Sequence, residues 1–338
     1  MQTHEASNVG GIAASPWAKS QGHGLRAAAA LLAVFLLPLA IATAVRAADV
    51  ELPYVDGFPE GVAVSDEGTL YVGSIKRGEI HRTRPGQRVA EPFVLQGSNG
   101  LMSVVGLYAD DARGLLYACS SDLKLPTLTG YAAPALKAFD LSTGAPRGTW
   151  QLPNGGFCND ITVLADGTVF VTNSFRPEIL VKRPGAATLD IWHTDPRFAG
   201  EGFRLNGIDH DGRGNLFVAI TATGEILKIA IGAGGNPSEI EKVALPAALS
   251  RPDGVKVLKD GRIMVVEQSA GRVVAIDLAM PSQPPKVLAS GIAAPTTAYA
   301  SANSLWVVES QLPVLWATAD KATAAVPGPV LLRHFALP

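Results

Sequence analysis

Four side chains that carry oxygen recur at one offset in this chain. Glu60, Asn159, Asn206 and Asp253 each stand eleven residues before a large residue, namely Tyr71, Phe170, Phe217 and Met264. Their contexts are Pro59-Glu60-Gly61, Cys158-Asn159-Asp160, Leu205-Asn206-Gly207 and Pro252-Asp253-Gly254. Brought to one point, two carboxylates and two amides form a hard, all-oxygen donor set. Such a set suits one divalent metal ion, Ca²⁺ before Zn²⁺, which prefers His and Cys. Mg²⁺, Mn²⁺ and Zn²⁺ stay open as alternatives. Two carboxylates at one point repel unless a cation lies between them. A cation with open positions polarises an ester carbonyl, and Asp253 beside it is placed to take a proton from an attacking water. Taken singly, Asn206-Gly207 and Asp253-Gly254 also read as turn pairs; the shared offset is what favours a common site.

The elements that must position these residues repeat. Six segments share a short β run, a Gly/Asp/Asn turn and a strand with a large central residue: SDEGTLYVGS, DARGLLYACS, LADGTVFVTN, DGRGNLFVAI, LKDGRIMVVE and ASANSLWVVE. The central residues Tyr71, Tyr117, Phe170, Phe217, Met264 and Trp306 are separated by 46, 53, 47, 47 and 42 positions. A period in the forties with several short strands per period marks a β-propeller. The expected fold is therefore all-β, a six-bladed β-propeller over 48–338 with a metal site in its central channel. Equivalent positions lie at one height around the axis, so the four oxygens face one mouth. The same offset in the second and sixth units gives Gly106 and Pro295, which offer no ligand. Val50 to Tyr54 precedes the first unit and is placed to lend an outer strand to the last blade, since an open ring leaves edges unpaired. The second unit carries a longer loop, Ser120 to Pro134, read equally as a lid or an inert insertion.

The segments FPEGVAVSDEGTLYV, FCNDITVLADGTVFV, RLNGIDHDGRGNLFV and RPDGVKVLKDGRIMVV resemble the SMP-30/gluconolactonase/luciferin-regenerating enzyme (LRE)-like family. The resemblance spans roughly residues 50–335 and is weak in the second and sixth blades. It implies a six-bladed propeller that holds one divalent metal through Glu60, Asn159, Asn206 and Asp253. It implies hydrolysis of lactones, with Asp253 as general base. One position departs from the pattern. Sugar-lactone members carry an Arg two residues before the third-blade Asn, and here that residue is Phe157. A phenyl ring offers apolar contact and no donor, so Phe157 and Asn159 are the expected substrate contacts and the expected substrate is less polar than a sugar lactone. The alternative turns Phe157 into blade packing and leaves recognition to Arg204 or Arg176. The function expected is an exported, calcium-dependent hydrolase of lactones or related esters. Its rival is a non-catalytic propeller that binds a ligand or protein and uses the metal structurally.

Other features bound the reading. Residues 27–44 are apolar and uncharged, with Lys19 and Arg26 before them and Val45-Arg46-Ala47 after. They read as a signal peptide over 1–47, with an uncleaved anchor as the alternative. Export to the periplasm or beyond follows either way, and membrane contact only if the segment is retained. Lys+Arg 28 against Asp+Glu 30 shows no basic excess, which argues against nucleic acid as a partner and leaves a small molecule. No G-x-S-x-G or phosphate-loop motif occurs. Cys119 and Cys158 are read as two buried thiols, a bridge being the alternative that an oxidising compartment permits. His210 is read as an exposed strand residue. Asp160 is read as a strand-start cap or a support for Asn159. The ends of the second strands, Ser74, Ser120, Asn173, Thr221, Glu267 and Glu309, are read as exposed loop ends.

Overall fold

A computed structural model describes residues 48–200, 202–301 and 303–337. The leader read over 1–47 lies outside the described residues. Six four-stranded antiparallel sheets form the fold, with four sequential strands in each of blades 1 to 5. The innermost strands are Pro59–Val64, Ser103–Asp110, Cys158–Val163, Leu205–His210, Pro252–Val257 and Pro295–Ala300. Each packs against the innermost strand of the blades on either side, and the sixth packs against the first, so the ring is closed. All six large central residues lie on second strands, as the repeat predicts. Five of them are nearly inaccessible, and Trp306 is partly so, stacked on His334 at 4.5 Å between centroids.

Closure uses the N-terminal strand. Val50–Leu52 pairs with Val330–Ala336 as the outer strand of blade 6, in the register Val50 to Leu332 and Leu52 to Val330. Val50 and Leu52 face the core, while Glu51 faces out. The first and last described strands thus meet in one sheet, and neither edge of the ring is left open.

The innermost strands are irregular in the same way six times. In each, the pairing with the second strand slips by one residue, between Pro59 and Val62 in blade 1 and at the matching points in the other five. A bulge of this kind bends the strand and re-aims a side chain. Here it turns two successive residues toward the axis. In blade 1 these are Glu60 and Gly61; the register gives Val105 and Gly106 in blade 2 and Thr296 and Thr297 in blade 6. This corrects the sequence count. The second-blade hairpin is one residue longer and the sixth one shorter, so Val105 and Thr296, not Gly106 and Pro295, stand level with the four ligands.

The glycines after the ligands are also not turn formers. Gly61, Gly207 and Gly254 do not have positive φ. A Cβ on Gly207 would lie 2.4 Å from the Asp253 carbonyl oxygen and from Val255 N. These positions are glycine because neighbouring innermost strands approach too closely for a side chain.

Cys119 and Cys158 form a disulfide with Cα atoms 5.1 Å apart, which corrects the expectation of free thiols. It ties the second strand of blade 2 to the first residue of the innermost strand of blade 3, within the main core. Among the described residues no helix is long and apolar enough to cross a membrane.

Leu52 is 1% exposed and sits in the main core between the closing strand and its neighbours. Leu52→Ala should therefore cost about 2–5 kcal/mol, read by urea denaturation of the wild type and variant. A change below about 0.5 kcal/mol, the level of ordinary surface substitutions, would show that the closing strand is dispensable.

Candidate active site

Glu60, Asn159, Asn206 and Asp253 come together. Each is at least nine-tenths buried. All four line one cavity of about 440 Å³ at the mouth where the innermost strands begin. Val105, from the level position of blade 2, shares that wall and offers no donor. Thr296, from blade 6, spends its hydroxyl on the Glu60 carbonyl oxygen at 2.8 Å.

What aims these side chains is a set of residues one step past the end of each second strand, and the sequence reading missed their role. Asn159 Nδ2 donates to Ser174 Oγ at 2.8 Å, and that hydroxyl donates to the Leu205 carbonyl of the next blade. Asn206 Nδ2 donates to Thr221 Oγ1 at 3.0 Å, and Thr221 donates to the Pro252 carbonyl at 2.7 Å. Because each hydroxyl gives its one proton to a backbone carbonyl, it can only accept from the amide. The amide must then present nitrogen to it, which frees Oδ1. In blade 5 the equivalent residue is Gln268, whose Nε2 donates to Asp253 Oδ2 at 2.9 Å. In blade 1 the residue is Ile75, which lines the cavity and has nothing to donate. Among the described residues, Glu60 Oε2 is correspondingly buried without a hydrogen-bond partner.

The residues read as exposed loop ends are instead buried anchors, Glu309 being only partly so. Ser74 Oγ donates to the Gly57 carbonyl, Ser120 Oγ accepts from Met102 N, and Asn173 Oδ1 accepts from Phe157 N. Glu267 and Glu309 accept from Ser250 N and Ala293 N. They hold the loops that lead into the innermost strands. Thr221, counted with them, lies one residue further and serves the ligand instead.

Asp160 does not orient Asn159. Its Oδ2 accepts from Ile208 N at 3.0 Å, so it ties blade 3 to blade 4 inside the channel. His210 lies at the far end of its strand, where Nε2 meets the Val163 carbonyl at 3.0 Å. It takes no part in the cavity.

The electrostatics of the site are strained without a cation. Burial raises the Glu60 carboxyl well above its ordinary value, and the charges of Asp253 and Asp160 add to this. Burial, followed by the Asp160 charge, pushes Asp253 up to about 8, while Arg251 and the amides of Asn206 and Gln268 draw it back. Two buried carboxyls, an orphaned carboxylate oxygen and two amide oxygens freed toward the same space fit a hard divalent cation. Among the described residues no three His, Cys, Asp or Glu side chains form a metal-binding group, and Cys158 is spent in a disulfide. The fit is thus to an ion that accepts neutral amide oxygen, which disfavours Zn²⁺.

Above the oxygens the walls are apolar. Phe157 is 3% exposed yet lines the cavity, so it both packs and presents an edge. It meets Phe175 at 5.1 Å and Phe203 at 5.2 Å between ring centroids. Leu312, Pro313 and Trp316 of a short helix, Leu312–Ala317, and Leu123 complete the wall. Leu123 belongs to the long second-blade loop, which therefore shapes the site. Arg251, Gln268 and Ser269 are the polar wall on the blade 5 side; Arg204 and Arg176 do not line the cavity. Arg251 was discoverable, since it holds the position two before the ligand that Phe157 holds in blade 3.

No family model matches the chain, and no curated protein matches it. Solved structures do. A luciferin-regenerating enzyme superposes with a TM-score of 0.59 at 13% identity, over 84% of this chain and 92% of that one. A gluconolactonase from Xanthomonas campestris gives 0.57 at 16% identity, over 76% and 85%. A virginiamycin B lyase from Staphylococcus aureus gives 0.53 at 15% identity, over 78% and 96%. The likeness to gluconolactonase and luciferin-regenerating enzyme is one of fold, and the chain is a six-bladed β-propeller of the kind they share.

Two outcomes follow from the geometry. Thr221→Val keeps the shape of Thr221 but removes the acceptor for Asn206 and should weaken Ca²⁺ binding roughly 10–100-fold, read by calorimetric titration, with Thr221→Ser close to wild type. Equal affinity in all three would show that the amide needs no support. In metal-stripped protein Asp253 binds its proton more tightly folded than unfolded. Below its unfolded value near 3.9 the protonated folded form keeps that advantage in full, and it is lost as pH rises toward about 8. The melting temperature should fall from pH 5 to pH 8, and added Ca²⁺ should restore more at pH 8 than at pH 5. A rise over that range without metal would contradict the burial of these carboxyls.

Proposed function

We propose that the protein is a metal-dependent hydrolase of lactones or related esters with apolar substituents. The observation that carries this is a mostly apolar cavity whose floor holds two buried carboxyls and two amides with freed oxygens. Glu60, Asn159, Asn206 and Asp253 hold one divalent ion, best Ca²⁺. The ion supplies electrophilic polarisation of the ester carbonyl. Asp253 accepts the proton of the attacking water as its oxygen bonds to the carbonyl carbon. Gln268 holds Asp253 Oδ2 and so fixes the orientation of the carboxylate. When the ring C–O bond breaks, Asp253 returns the proton to the leaving alkoxide, and the product is a hydroxy acid. Asn159 and Asn206 add ligand oxygen without negative charge, so the electrophilic pull is kept. Phe157 and Phe203 bind the apolar part of the substrate and exclude water. The fold shared with a gluconolactonase supports the reaction class and no particular substrate.

We also place the protein outside the reducing cytosol. The Cys119–Cys158 bridge supports this, because such bonds persist in oxidising compartments. The apolar segment 27–44 supports it independently.

A lactone panel followed by proton release, with and without chelator, tests the reading. Hydrolysis should require one bound divalent ion per chain. An alkyl γ- or δ-lactone should exceed gluconolactone in kcat/KM, and Asp253→Asn should lower kcat by at least 100-fold with metal occupancy measured alongside. A chelator that lowers only the melting temperature would favour the non-catalytic rival. Near-normal kcat in the Asn variant would remove Asp253 from the role of base.

A further inference from the structure

Among the described residues, one cationic side chain without a partner lines the cavity. Of the residues that line it, only Glu60, Asp253 and Arg251 carry charge. Arg251 is exposed, and its guanidinium makes no hydrogen bond or ion pair among the described residues. Its backbone is fixed, because Arg251 N donates to the Leu249 carbonyl and the Arg251 carbonyl accepts from Gln268 N. The left-handed backbone there is not special to this residue. Phe58 and Ala294 share it at the matching positions of blades 1 and 6, each before a proline. That geometry belongs to the blade; what blade 5 adds is a guanidinium in a mostly apolar wall. A free guanidinium beside a carboxylate would ordinarily close on it as a bidentate pair. Arg251 does not hydrogen-bond Asp253, whose Oδ2 is held by Gln268 instead.

Charge arithmetic gives the consequence. The three charged lining residues sum to minus one, and a divalent ion on the floor turns that to plus one. The loaded cavity then complements an anion. Position says where the anion goes. In a closed six-bladed ring, blade 5 lies across the channel from blade 2. Arg251 and Ser269 are on the blade 5 side, flanked by Phe203 of blade 4 and by Leu312, Pro313 and Trp316 of blade 6, with Val105 and Leu123 of blade 2 opposite. We infer that Arg251 is a specificity residue that selects substrates bearing a carboxylate beside their apolar substituent. This rests on the lactonase reading. A guanidinium–carboxylate hydrogen bond contributes about 1.5–3 kcal/mol, or roughly 10–100-fold in affinity.

The test uses γ-alkyl-γ-butyrolactones with a carboxylate on the β-carbon and, as the isosteric control, the primary carboxamide. In wild-type protein loaded with Ca²⁺ the acid should exceed the amide in kcat/KM by about 10-fold or more, chiefly through KM. Arg251→Gln should bring the ratio to about one, and Arg251→Lys should keep most of it. A wild-type ratio at or below one, or an unchanged ratio in Arg251→Gln, overturns the inference. The corresponding lactam pair, which is not turned over, is titrated calorimetrically into wild type and Arg251→Gln. Preferential binding of the acid lactam that disappears with Arg251→Gln supports the anion site even where neither lactone is hydrolysed, an outcome that would refute only the lactonase reading. Equal binding of both lactams by wild type overturns the anion site whatever the turnover. Melting curves of both variants, with and without Ca²⁺, confirm that the fold and the loading are intact.

Discussion

The repeated bulge in the innermost strands governs this structure. A regular strand alternates faces, so only every second residue points at the axis. The slip between the first and second strands puts two successive side chains there in every blade. The first of the pair carries the oxygen that faces the cavity in four blades, and the second is glycine in four blades because the neighbouring strand passes within contact distance, while in blade 3 it is Asp160, which hydrogen-bonds that strand. Ligand placement and blade packing are thus one feature. A ligand residue cannot shift along its strand without forcing a side chain into the space that glycine keeps open.

Polar atoms are assigned with the same economy. Ser121, Ser174 and Thr221 each donate to the backbone of the next blade. Ser174 and Thr221 also fix the amide that faces the cavity. The contacts that hold blades together therefore orient the donor atoms. Glu60 is the exception, since Ile75 gives it no partner. Its unsatisfied oxygen and the raised carboxyls of Glu60 and Asp253 concentrate an electrostatic cost in one place. That cost is relieved either by a proton on the acid pair or by a cation between its members.

Much of this was legible in the sequence because a period carries fold, register and site together. The six central residues located the second strands, and a fixed offset from them located four oxygen-bearing side chains that line one cavity. The offset failed at Gly106 and Pro295 because hairpin length differs by one residue in blades 2 and 6, and an offset cannot see a turn. Phe157 was legible as a departure from an expected Arg, but its partners Phe175 and Phe203 come from other loops. The Cys119–Cys158 bridge depends on how blade 2 sits against blade 3, which spacing of 39 residues does not encode. Ser174 and Thr221 look like ordinary strand-end residues until the hydroxyl proton is followed to its carbonyl.

Fold alone leaves the chemistry open, since the same ring is found in a lyase and in a gluconolactonase. The distribution of donors around the ring is what narrows it. Blades 3, 4 and 5 give three oxygens in succession and blade 1 gives one, while blade 2 gives Val105 and blade 6 a hydroxyl already committed to backbone. A purely structural ion would be best served by ligands on all sides. A divalent ion held by these four oxygens would keep positions for outside oxygen, since such ions take ~6–8. The four oxygens face a cavity lined by phenylalanine, leucine and tryptophan, and a water-filled site would gain nothing from such walls. An apolar wall beside open coordination makes sense for a molecule that brings both a carbonyl and a hydrocarbon group.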